Sequence, residues 1–120
     1  MVLYCRKCKI PLTNDLLELP NRALISEEEG EDYIPQGFFV ISDGSYFTNS
    51  ANQLIINVRD MLNCANHPNP SRLNGCCGLD GTDGPNKICS NGHEVGTEKS
   101  DCWMPHAFLI EQDFPISTQE

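Results

Sequence analysis

The stretch "NGCCGLDGTDGPNKIC", residues 74–89, sets two cysteines side by side in a run of Gly, Asp and Asn and closes on a third. What these sulfurs do decides what holds the chain together. Gly-rich turns let sulfurs approach an ion without side-chain crowding. Successive side chains diverge, so one cysteine of the doublet is expected to ligate and the other to pack as a small apolar thiol. Cys77 is the expected ligand, because Gly78 after it suits a tight turn, and Cys76 is its alternate. Asp80 and Asp83 give the segment between a superficial likeness to a calcium loop. Their spacing breaks the Asp-x-Asp/Asn register that such a loop needs. The segment reads instead as paired turns that bring Cys77 and Cys89 together.

Half of a tetrahedral site stands at the other end of the chain. Cys5-Arg6-Lys7-Cys8 is a Cys-x-x-Cys, a spacing that lets a tight turn aim two sulfurs at one cation. Arg6, Lys7 and Lys9 crowd this knuckle in an otherwise acidic chain, and cations offset the negative charge of metal-bound thiolates. A redox Cys-x-x-Cys belongs to a thioredoxin-like βαβ context, and no such pattern follows. The expected cofactor is therefore a structural Zn2+ held by Cys5, Cys8, Cys77 and Cys89, with Cys76 and His93 in reserve. Cys64 with His67, and Cys102 with His106, also have ligand-like spacings from which a second site could be built. A lone histidine is more often a hydrogen-bonded structural residue.

Composition supports a staple. One hundred and twenty residues make one ordinary domain, expected over 1–120, and its aliphatic residues are thinly spread. Seven cysteines are many for this length, and the odd number speaks against a secreted disulfide framework. The N-terminal residues lack the apolar core of a secretory signal, and no apolar run approaches the roughly 18 residues that span a bilayer. A reducing, cytoplasmic location is expected. Seventeen Asp and Glu against eight Lys and Arg give a net charge of −9. That excess disfavours nucleic-acid backbones and anionic membranes and favours a basic protein partner.

Outward from the cysteines, "VLYCRKCKIPL" reads as strand, turn and short strand, with Pro11 confining the second strand to an edge. Residues 12–25 read equally as short helix or strand, with Pro20 ending a helix early. Residues 26–32 are a solvated acidic loop carrying Glu27, Glu28, Glu29, Glu31 and Asp32, with no packed structure expected. "GFFVISDGSYF" reads as a hairpin: Phe38 to Ser42 out, an Asp43-Gly44 turn, Tyr46 to Thr48 back. Leu54 to Val58 is β-like, with a helical turn from Arg59. Ala107 to Glu111 is a last strand, and 115–120 is a loose tail. The expected fold is a small α+β domain: an antiparallel sheet with one or two short helices, stapled by zinc.

"YCRKCKIPLT" resembles the first half of a zinc ribbon, in which a knuckle lies between two short strands. "ICSNGHEVGTEKSDCW" resembles a second half, although Cys89-Ser-Asn-Gly lacks the second cysteine of the usual Cys-x-x-Cys-Gly. The Asn-Gly-Cys-Cys-Gly and Asp-Cys-Trp patterns are similar to those of small bacterial Cys-rich proteins, a resemblance that implies no activity. In size and acidity, though not in motif, the chain also resembles immunity proteins, which neutralise a toxin by binding it.

The expected function is that of a non-enzymatic protein which binds a protein partner, a basic toxin being the particular case. Residues Glu27, Glu28, Glu29, Glu31 and Asp32 would steer that partner, and Phe38, Phe39, Tyr46 and Phe47 would anchor it if exposed. The alternative is a thiol-based enzyme or redox sensor using Cys76, Cys77 or Cys102. No phosphate loop, dinucleotide fingerprint or Gly-x-Ser-x-Gly elbow occurs.

Overall fold

The computed structural model describes residues 1–5, 7–47, 50–111 and 116–119. Among the described residues nine short strands follow one another: β1 (Val2–Cys5), β2 (Leu17–Glu18), β3 (Phe38–Ile41), β4 (Leu54–Ile56), β5 (Cys64–Asn66), β6 (Lys87–Cys89), β7 (Glu94–Lys99), β8 (Ala107–Ile110) and β9 (Ile116–Gln119). Seven of them form one mixed sheet in the order β2-β3-β4-β8-β7-β6-β5, and β1 pairs separately with β9. Only the β2–β3 pairing is parallel within the large sheet.

The α+β expectation is overturned, because no α-helix occurs among the described residues. The helical elements among the described residues are three single 3-10 turns, Arg22–Leu24, Val58–Asp60 and Pro70–Arg72, of which the second falls where a helical turn from Arg59 is expected. All three share one cause. Asn21, Asn57 and Asn69 each accept, through the side chain, the backbone N–H two residues on. This Asx turn satisfies the backbone locally and competes with helix growth. After each single turn the chain leaves the helical region, as at Met61 with φ −78 and ψ 136.

The expected two-residue hairpin at Asp43-Gly44 is also corrected. β3 pairs with β4, Phe39 facing Ile56 and Ile41 facing Leu54, so the return strand comes later in the chain. Asp43 instead accepts the Ser45 N–H at 2.9 Å, and Ser42 shares a 2.6 Å hydroxyl contact with Ser50. These bonds fold 42–47 and 50–53 into a loop rather than a tight turn. Thr48, the expected end of the returning strand, lies outside the described residues. In the tail, Ile116–Gln119 pairs antiparallel with β1, while 115 and 120 lie outside the described residues.

Strand alternation divides the core in two. Phe108 and Ile110 join Leu3, Leu12, Leu16, Ile56 and Val95 on one face of the sheet. Ala107 and Leu109 join Tyr33, Ile34, Val40, Phe47 and Ile55 on the other. Central strand β8 is therefore buried at every position, which accounts for its unbroken apolar run. Of the expected aromatic anchors, Phe47 is buried and Tyr46 is 39% exposed.

Gly96 lets β7 and β8 close. A Cβ there would lie 2.4 Å from the Leu109 carbonyl oxygen and 2.5 Å from the Phe108 ring. Gly96→Ala is expected to cost about 1–3 kcal/mol by overpacking, read as a lower urea midpoint at unchanged m-value. No described helix is long and apolar enough to cross a membrane.

Candidate metal centre

Two turns meet at one end of β7. The first follows β1, where Cys5 ends the strand, its N–H donates to the Ile10 carbonyl at 3.0 Å, and Lys9 N–H returns to the Cys5 carbonyl at 2.7 Å. Lys9 sits in the left-handed region, φ 65, which closes this knuckle. The second turn joins β6 to β7. Cys89 N–H donates to the His93 carbonyl at 2.8 Å, and Gly92, at φ 87, donates to the Cys89 carbonyl at 2.9 Å. Each turn thus presents two donors towards the other.

Cys5, Cys8, Cys89 and His93 are brought together, their ligand atoms all within 4.8 Å of one another, close enough to hold a metal ion. Cys8 Sγ lies 3.8 Å from Cys89 Sγ. His93 Nδ1 lies 3.4 Å from Cys5 Sγ and 3.3 Å from Cys89 Sγ. Cys5 and Cys89 are each 1% exposed, while Cys8 and His93 are half-buried. Burial raises the Cys5 thiol above its ordinary value. Burial also acts upward on Cys8, but hydrogen bonds from the Asn91 side chain and the Ile10 backbone outweigh it and hold that thiol at about 6. Lys7 and Lys9 are exposed on the first turn, and Arg6 lies outside the described residues.

The expected ligand Cys77 is elsewhere, and His93 stands in its position. β7 is the physical reason. Its six residues, Glu94–Lys99, span about 20 Å of extended chain. His93 precedes one end, while the 76–78 loop lies against Ser100 beyond the other: Ser100 N–H donates to the Leu79 carbonyl at 2.8 Å. The Asp80-to-Asn86 segment therefore does not join Cys77 to Cys89. It carries Asn86, fully buried, whose side chain accepts the Glu98 N–H at 2.7 Å and donates to the Glu98 carbonyl at 2.9 Å.

The spacings at Cys64/His67 and Cys102/His106 do not combine. His67 Nε2 contacts Glu94 at 3.0 Å and its Nδ1 accepts the Asn69 N–H at 3.0 Å. His106 Nε2 lies 3.2 Å from the Asp101 carbonyl. Cys64 faces Cys89 across the β5–β6 pair and packs against the first core, and burial raises its thiol. A second thiol cluster forms instead from Cys76, Cys77 and Cys102, all exposed and all within 4.8 Å of one another.

Asp101 organises that cluster and carried no role in the sequence reading. Its carboxylate is fully buried and accepts the backbone N–H groups of Cys76, Cys77 and Cys102 at 2.9, 2.9 and 2.8 Å. It also accepts the Trp103 indole N–H at 2.8 Å. The bonds from Cys77 and Cys76 above all hold its carboxyl far below the usual carboxylate range. Its only sequence signal is its place in Asp-Cys-Trp, downstream of the doublet.

The acidic loop is solvated yet pinned. Glu27, Glu28, Glu29 and Glu31 are exposed, and Asp32 is half-buried against Arg59 at 3.1 Å. Ser26 N–H donates to the Tyr33 carbonyl, Gly30 N–H to Met104, and His106 N–H to the Glu31 carbonyl.

Comparison with family models, with curated proteins and with solved structures returns no match to this chain.

Proposed function

We propose that the chain is a non-enzymatic β-sheet protein stapled by a structural zinc ion at Cys5, Cys8, Cys89 and His93, and that it acts by binding a basic protein partner. The observation that carries the zinc reading is the spacing of the donors. A tetrahedral zinc with arms of about 2.3 Å to sulfur and about 2.0–2.1 Å to nitrogen has S···S edges near 3.8 Å and S···N edges near 3.5 Å. The observed 3.8 Å between Cys8 and Cys89 and 3.3–3.4 Å between His93 and two sulfurs fit that figure without rearrangement. Three thiolates and an imidazole are a closed donor set, which suits a structural ion rather than a catalytic one. The ion would tie β1 to the β6–β7 turn, segments far apart in sequence. The direct test is zinc content before and after a chelator, read with the melting curve.

The partner reading rests on the acidic loop. Its carboxylates at Glu27, Glu28, Glu29 and Glu31 project to solvent from a backbone fixed at both ends. A preorganised charged surface steers encounter with a partner of opposite charge. Glu27→Gln, Glu28→Gln and Glu29→Gln together are expected to leave the fold intact, each surface change lying within about 0.5 kcal/mol. They should slow association with a Lys/Arg-rich probe peptide about tenfold at low salt. Stopped-flow measurement at two ionic strengths checks this. A basic toxin remains the particular partner proposed.

A further inference from the structure

We propose that Cys77 and Cys102 form a reversible disulfide on exposure to hydrogen peroxide, with Cys76 left as a free thiol beside it. The proposal is independent of the zinc reading, because this cluster lies at the opposite end of β7.

Three features carry it. All three thiols are exposed, so an oxidant reaches them. Their backbones are fixed before any bond forms. Asp101 holds the Cys76, Cys77 and Cys102 N–H groups on one carboxylate, and the loop lies so close to Ser100 that a Cβ at Gly78 would come within 2.3 Å of the Ser100 carbonyl oxygen. Two thiols held by rigid neighbours react at a high effective concentration. Finally, Cys77 Sγ and Cys102 Sγ are 2.6 Å apart.

The same geometry disfavours an ion. Sulfurs sharing a zinc stand about 3.8 Å apart, as Cys8 and Cys89 do, whereas Cys77 and Cys102 stand closer than that. The N–H donors that would soften metal-bound thiolates are already taken by Asp101. Charge points the same way. The Cys102 thiol is pushed up to about 12, first by its hydrogen bond with Cys77, and Asp101 adds to it.

The chemistry balances with peroxide as the only co-reactant. The Cys77 thiolate attacks one peroxide oxygen. An S–O bond forms, the O–O bond breaks, the sulfur gives up two electrons, and the released hydroxide takes a proton to become water. Cys102 sulfur then attacks the Cys77 sulfenic sulfur. The S–S bond forms, the S–O bond breaks, and the second water leaves with the Cys102 proton. Two thiols and one peroxide yield one disulfide and two waters, and a dithiol reverses the change.

The test treats the zinc-loaded chain of residues 1–120 with one equivalent of hydrogen peroxide and maps the peptides after alkylation. The expected product is about 2 Da lighter, carries a Cys77–Cys102 link, has Cys76 alkylated, and returns to the starting mass with dithiothreitol. Cys76→Ser should still form the link, while Cys77→Ser and Cys102→Ser should not. A Cys76–Cys77 link, sulfinic acid on one cysteine, or three unchanged thiols would overturn the proposal. So would a second metal ion that shields all three thiols until a chelator removes it.

Discussion

Cys5→Ser or Cys89→Ser is expected to leave the protein unfolded or aggregated at room temperature, and a chelator should do the same to the unaltered chain. Cys5 ends β1, and Cys89 ends β6, so losing the ion releases both turns from each other and opens the first core, to which Cys5 and Cys89 belong. A structural zinc in a small domain contributes its binding free energy to folding, about 10–16 kcal/mol in zinc-finger peptides. That exceeds much of the usual net stability of about 5–15 kcal/mol. Cys8→Ser should behave likewise, because Cys8 Sγ lies 3.8 Å from Cys89 Sγ, the spacing of two sulfurs on one zinc. Cys64→Ser, which packs against the core but lies outside the group of four donors, should fold and keep its metal. Thermal melting with metal analysis separates the two classes. A wild-type melting curve for Cys5→Ser would remove the staple from the account.

Asp101→Ala is the second large effect, expected to lower the melting temperature by on the order of 10 °C. The substitution leaves three backbone N–H groups and one indole N–H without their shared acceptor. Asp101→Asn should be nearly as damaging, since one amide oxygen replaces two carboxylate oxygens and brings donors of its own. The carboxyl titrates far lower in the folded protein than in the unfolded chain, because the Cys77 and Cys76 N–H groups bind its charged form. The stabilisation is therefore complete above the ordinary carboxylate value of about 3.9 and falls as pH drops below it toward the folded pKa. Asp101→Asn should lose that part of the acid-side fall. Melting curves from pH 6 to pH 3 for both proteins check it, and parallel acid limbs would contradict it.

The grouping of the cysteines was partly legible in sequence. Cys5-x-x-Cys8 and Cys89 could be placed because their turn residues define local knuckles, and His93 stood in reserve four positions beyond Cys89. Cys77 could not, because spacing does not reveal that a full strand, β7, separates it from His93. Asp101 was invisible for a related reason: a lone Asp beside a cysteine reads as a turn residue until the fold brings the doublet onto it.

Strands β4 and β8 followed from apolar, β-branched and aromatic runs. The helical turn expected from Arg59 stopped after a single 3-10 cycle, Val58–Asp60. Asn21, Asn57 and Asn69 offered the backbone an Asx turn, and each turn ended after one cycle. The Asp43-Gly44 pair suggested a hairpin, but Ser42, Ser45 and Ser50 bind the segment into a wider loop. Side-chain to backbone hydrogen bonds, which hydrophobic periodicity does not record, decided these cases.

Native mass spectrometry with parallel thiol alkylation tests the central claim most directly. The expected result is one zinc per chain, lost on chelation, with Cys5, Cys8 and Cys89 alkylating only after the metal is removed. A metal-free chain whose Cys5, Cys8 and Cys89 alkylate at once, and whose melting curve ignores chelator, would contradict it.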